Sequence, residues 1–183
     1  MSYRGNVIKL GDNIDTDVII PARYCNMYKE EELGPHALAG IDEAYVSKYV
    51  KPGAILVAGT NFGCGSSREA APVSLKGAGF SCVIADSFAR IFYRNSFNIG
   101  LPILECPEAI PGIEQGNDVE VDVTTGAIIN HTTGVTFQAA PFPPFIQGLV
   151  AAGGMVNYVR HRLEGKAAAA PAPAKEAVPA PAE

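Results

Sequence analysis

Residues 61–72 read NFGCGSSREAAP: two glycines flank Cys64, two serines follow, and an Arg-Glu pair comes next. Three kinds of chemistry suit such a string: holding a phosphate or carboxylate, activating a serine, or ligating a metal through the cysteine. Ser66 and Glu69 also have the Ser-x-x-Glu spacing of a capping box, so an ordinary helix start fits as well. Pro72 bears on that choice, because a proline deep inside a helix removes a backbone hydrogen bond. Regular helix is therefore expected only from near residue 71, with 66–70 as a tight turn. In either geometry several backbone amides near Ser66 and Ser67 stay free. Together with a helix N-terminus, permissive glycines and the guanidinium of Arg68, they make a site for a carboxylate or phosphate.

Other readings fail on spacing. A Walker loop ends in Gly-Lys-Ser/Thr, and GCGSSR lacks both that ending and the dinucleotide spacing GxGxxG. Neither serine sits in the GxSxG frame of a hydrolase elbow. The three histidines, His36, His131 and His161, lie outside the apolar-run region, so no Ser-His-Asp triad is expected. Cys25, Cys64, Cys82 and Cys106 are far apart with no CxxC, so no zinc or iron-sulfur site is expected in this chain. Cys82, within FSCVIA, reads as a small core hydrophobe. The net charge is −5 and no Lys/Arg run occurs, which argues against nucleic acid as a partner. No stretch has the length of a signal-peptide core or of the ~20 apolar residues that span a membrane, so a cytoplasmic protein without membrane association is expected.

The elements that position the turn show in the apolar pattern. AILVAG (54–59), FSCVIA (80–85) and LPILEC (101–106) are continuous apolar runs, as suits strands buried on both faces. Between them SREAAPVSLKGAG and SFARIFYRNSFNIG have helical spacing, which predicts a βαβαβ unit with a parallel sheet. In such units ligands sit beyond the carboxyl ends of the strands, where NFGCGSSRE falls. DVEVDV (118–123), AIIN (127–130) and VTFQA (135–139) predict a β-meander. PFIQGLVAAGGMVNYVRHRL predicts a final helix with Phe145, Ile146, Leu149, Val150, Met155, Val156 and Val159 facing the core, weakened at Gly153-Gly154. Residues 1–165 are expected to form one α/β domain, and the Ala/Pro-rich stretch 166–183 a disordered tail. Arg90 and Arg94, at i and i+4, are expected to brace the sheet.

GCGSSRE, DSFARIFYRNSFNIGLP and NIDTDVIIPARY occur in an order that resembles the isopropylmalate isomerase small-subunit family, the swivelling domain of the aconitase superfamily. The resemblance spans roughly residues 5–163. It implies a β/β/α domain of aconitase type and a hydro-lyase split over two chains, with a [4Fe-4S] cluster on the large subunit and no cofactor in this one. It also implies that Ser66 is the base that removes a carbon-bound proton from a small hydroxy-acid substrate. Ser67 and Arg68 would bind the substrate carboxylate, and Thr16 and Asp17 would lie at the site's margin. Residues 22–30, ARYCNMYKE, correspond to the loop that reads the substrate's variable group, with Tyr24, Cys25, Asn26, Met27, Tyr28 and Lys29 as its specificity residues. Relatives acting on isopropylmalate commonly follow the tyrosine with leucine, and here Cys25 follows Tyr24. Met27 and Tyr28 offer an apolar lining suited to an alkyl group, and Lys29 is the nearby cation in the loop. Isopropylmalate is the expected substrate, with homoaconitate and 2,3-dimethylmalate as alternatives within the class. The rival from another class is a non-catalytic interaction module, with the GSSR turn as a helix cap and the tail as a tether.

Overall fold

The computed structural model of the chain describes residues 1–164. The expected tail, 166–183, lies outside them. Seven strands form one mixed sheet in the order β4-β3-β2-β1-β5-β6-β7. The parallel half is built from β2 (Ile55–Ala58), β3 (Cys82–Ala85) and β4 (Ile103–Glu105), each inside a predicted apolar run. Every residue of β2 and β3 is buried, as helices on both faces of a parallel sheet require. Cys82 is fully buried, and that burial pushes its thiol pKa far up, so it behaves as core. β5 (Asp118–Asp122), β6 (Ala127–Asn130) and β7 (Val135–Gln138) form the predicted antiparallel meander.

The strand that joins the halves, β1 (Ser2–Lys9), has no counterpart among the predicted elements. Ser2 to Asn6 pair antiparallel with β5, and Val7 to Lys9 pair parallel with β2. This short segment thus makes one continuous sheet of two different topologies.

Before β2 the chain forms three short helices, α1 (Thr16–Ile19), α2 (Glu30–Leu33) and α3 (Tyr45–Tyr49). Longer helices then connect the parallel strands: α4 (Ala70–Gly77) follows β2 and α5 (Arg90–Asn98) follows β3. α4 begins close to the position that Pro72 dictates. Glu69 is its N-cap residue and no side chain caps it, so the Ser66–Glu69 capping box does not form. Arg90 and Arg94, expected to brace the sheet, are exposed on α5, and guanidinium groups left in solvent give the sheet no packing.

The predicted final helix is two helices, α6 (Pro144–Ala151) and α7 (Met155–Leu163). Gly153 and Gly154 take φ of +75° and +116°, a conformation no helix contains. The expected core stripe is buried only in part. Leu149 and Val150 are buried, whereas Phe145, Val156 and Val159 are exposed.

Candidate functional site

All the parallel strands direct their carboxyl ends to one edge of the sheet, and the turn 61–68 crosses that edge. Two neighbouring loops hold it. On the side of the loop after β1, the amides of Asn13, Thr16 and Gly63 bond to the carbonyls of Thr60, Cys64 and Ile14 at 2.8, 2.9 and 2.8 Å. On the side of the loop after β3, Phe62 donates to Ser87 at 3.0 Å and Ala89 donates to Phe62 at 2.9 Å.

Phe62 anchors the turn from below. It is fully buried and meets Phe88 and Phe92 edge-on, with ring centroids 6.1 and 5.2 Å away. Burying such a side chain contributes up to about 3 kcal/mol, and edge-to-face pairs add about 1 kcal/mol. Gly63 has φ +76°, and a Cβ there would fall well inside the Phe92 ring. The first glycine is therefore required by packing as much as by backbone angle.

Ser66 and Ser67 are exposed at the surface of this frame. The backbone of Ser66 is fixed by Thr16, whose hydroxyl is nearly fully buried. That hydroxyl donates to the Ser66 carbonyl at 3.2 Å and accepts the Ser66 amide at 3.1 Å. The amides of Gly65 and Ser67 donate to no acceptor among the described residues. Two unpaired amides therefore sit on either side of Ser66 in the chain, where backbone N–H groups of this kind can take an anion.

Arg68 is partly buried, and its Nη1 donates to the carboxylate of Asp17 and, at 3.4 Å, to the carbonyl of Ile20. The bond from Arg68 holds the Asp17 carboxyl below the ordinary aspartate range, and the same bond raises the guanidinium. A folded-state pKa below the unfolded value means that the pair's contribution is present above the unfolded pKa and is lost as pH falls through the folded one. Asp17 is thus expected to titrate below the ordinary value of about 3.9 and to return toward it in Arg68→Ala. A carboxyl NMR titration checks this, and a midpoint that Arg68→Ala leaves unmoved contradicts it.

A cavity of about 570 Å³ opens beside Arg68, walled by Cys25, Met27 and Tyr28 from the 22–30 loop and by residues of α2, α4, α5 and the α6–α7 junction. Tyr24, Asn26 and Lys29 do not line it. Tyr24 instead stacks on His36 with centroids 4.0 Å apart, beneath the Arg23 guanidinium, and donates to Glu43 at 2.7 Å. It pins the loop while Cys25 and Met27 face the cavity. Besides Arg68, the cation in the cavity wall is Lys76, from α4, alongside Glu30, Val73, Ile99 and Val156. No local signal marks these wall residues, because four separate elements bring them together.

No group of three or more His, Cys, Asp or Glu side chains among the described residues is placed to hold a metal. No helix among them is long and apolar enough to cross a membrane.

Residues 24–109 match the family model of the aconitase C-terminal domain. The chain is 57% identical to the 3-isopropylmalate dehydratase small subunit of Caldicellulosiruptor bescii, over 90% of this chain and 98% of that protein. It is 58% identical to the 2,3-dimethylmalate dehydratase small subunit of Eubacterium barkeri, over 87% of this chain and 97% of that protein. The crystal structure of 3-isopropylmalate dehydratase from Methanocaldococcus jannaschii superposes with a TM-score of 0.83 at 42% identity, covering 91% of this chain and 98% of that one. With the three motifs, the mixed sheet and the serine-arginine turn all in place, the chain belongs to the 3-isopropylmalate dehydratase small-subunit family, in the aconitase C-terminal domain fold.

Proposed function

We propose that this chain acts with a large subunit to isomerise 2-isopropylmalate and 3-isopropylmalate by dehydration and rehydration, with Ser66 as the base. The observation that carries the reading is the turn itself. An exposed serine, locked through its backbone by a buried Thr16, is followed two residues on by a partly buried Arg68 that lines a mostly apolar cavity.

A serine hydroxyl is a poor base in water, so its alkoxide needs stabilising charge. The free amides of Gly65 and Ser67 and the guanidinium of Arg68 supply it, and they act more strongly once a partner surface excludes water. Ser67 and Arg68 orient the substrate carboxylate, which brings the carbon-bound proton to the Ser66 hydroxyl. Thr16 keeps Ser66 in place and Asp17 holds the guanidinium. A [4Fe-4S] cluster on the large subunit would supply Lewis acidity toward the substrate hydroxyl and a carboxylate. The relatives' description as small subunits supports the division into two chains.

The likeness to the Eubacterium barkeri protein favours a second reading, in which 2,3-dimethylmalate is the substrate. Both substrates present a small branched or methylated apolar substituent, which Cys25 and Met27 can cover. Purified alone, the chain is expected to be colourless and inactive. Combined with its large subunit under anaerobic conditions, it is expected to hydrate isopropylmaleate faster than dimethylmaleate, measured by loss of the alkene absorbance. The reverse order supports the second reading, and turnover of neither sinks both.

A further inference from the structure

The wall of the cavity beside Arg68 carries four charged side chains, Arg68, Lys76, Glu30 and Glu69. Two are positive and two negative. Arg68 is already directed at Asp17 and, under the function proposed above, at the carboxylate that every substrate of the class carries. Lys76 is then the one wall cation left for a substrate's variable group.

That cation is not free. Its Nζ lies 2.8 Å from Glu30 Oε1 and donates to the carbonyl of Ile99 at 2.8 Å. The side chains of Lys76 and Glu30 are only 26% and 44% exposed, so the pair is partly shielded from water. The helices that carry them touch through backbone: a Cβ on Gly77 would collide with the carbonyl of Glu30. The distance between α2 and α4 is therefore fixed, and Glu30 is held against Lys76.

We infer that Glu30 sets the charge preference of this cavity, neutralising Lys76 so that the cavity takes an uncharged alkyl substituent and rejects one that ends in a carboxylate. The inference rests on the proposed function and deepens it. An entering carboxylate has to displace Glu30 from Lys76 or sit beside it as a like charge, and both are unfavourable in a partly desolvated cleft. An isopropyl group meets neither cost and packs on Met27, Val73 and Ile99. Lys29, the cation among the loop's expected specificity residues, does not line the cavity. Charge selection therefore rests on Glu30, the last residue of the 22–30 loop, together with Lys76 of α4.

The test compares hydration of isopropylmaleate with hydration of cis-homoaconitate, whose substituent ends in a carboxylate, by the full chain combined with its large subunit. Glu30→Gln keeps a hydrogen-bond acceptor for Lys76 but removes the negative charge. It is expected to raise the ratio of kcat/KM for cis-homoaconitate to that for isopropylmaleate by roughly tenfold or more. Adding Lys76→Met is expected to bring the ratio back to the wild-type value or below. If Glu30→Gln destabilises the chain, Glu30→Ala removes the same charge and is expected to move the ratio in the same direction. An unchanged ratio in a folded Glu30 variant that still hydrates isopropylmaleate overturns the role of Glu30 and leaves the proposed function intact. A wild-type pair that hydrates neither isopropylmaleate nor dimethylmaleate overturns the function, and the inference with it.

Discussion

Ser66→Ala is expected to lower turnover by the two-chain enzyme by about 10²- to 10⁴-fold, the usual contribution of a positioned base. Its unfolding free energy is expected to stay within about 0.5 kcal/mol of the wild type, as for a surface substitution away from special features. Both halves follow from the geometry. The side chain is exposed, the capping box it would have joined does not form, and the bonds to Thr16 use only the Ser66 backbone, which alanine keeps. A helix cap would show the opposite pattern, with about 1 kcal/mol of stability lost and turnover little changed. Ser67→Ala provides the contrast: a residue that orients the carboxylate is expected to raise KM more than it lowers kcat. Near-normal turnover by Ser66→Ala at saturating substrate would remove Ser66 from the chemistry.

The second large effect is on the frame of the turn. Gly63→Ala is expected to cost about 2–5 kcal/mol, the sum of about 1–2 kcal/mol for a side chain in left-handed backbone and about 1–3 kcal/mol for forcing the Phe92 ring aside. Measured against a typical domain stability of about 5–15 kcal/mol, that is enough to lower the denaturant midpoint visibly. Gly65→Ala separates the two contributions. Its φ is +87°, but a Cβ there meets Asp15 and Thr16 only at 3.5 Å, an ordinary contact. It is expected to show the backbone cost alone, about 1–2 kcal/mol. Equal losses at the two positions would mean that the Phe62–Phe88–Phe92 cluster does not carry the turn.

The parts of this protein that its sequence determines by itself are those in which cause and effect lie within a few residues. Runs such as ILVA and CVIA are buried on both faces because every residue in them is apolar, and Pro72 delays α4 because proline lacks an amide hydrogen. The glycines and serines of the turn announce free amides for the same local reason. β1 was not legible, since SYRGNVIK becomes a strand by gaining β5 along its first half and β2 along its second. The double glycine announced a weak point in the last helix. How far the chain turns there, and hence that Val156 faces the cavity and not the core, depends on the packing around it. The site divides in the same way. Ser66, Ser67 and Arg68 are neighbours in the chain, but the hydroxyl that fixes Ser66 and the carboxylate that holds Arg68 come from Thr16 and Asp17, about fifty residues earlier. Only tertiary structure decides such pairs, and likewise the Glu30–Lys76 pair in the cavity wall, because a hydrogen bond needs its partners about 3 Å apart and no spacing along a chain encodes that distance across separate elements.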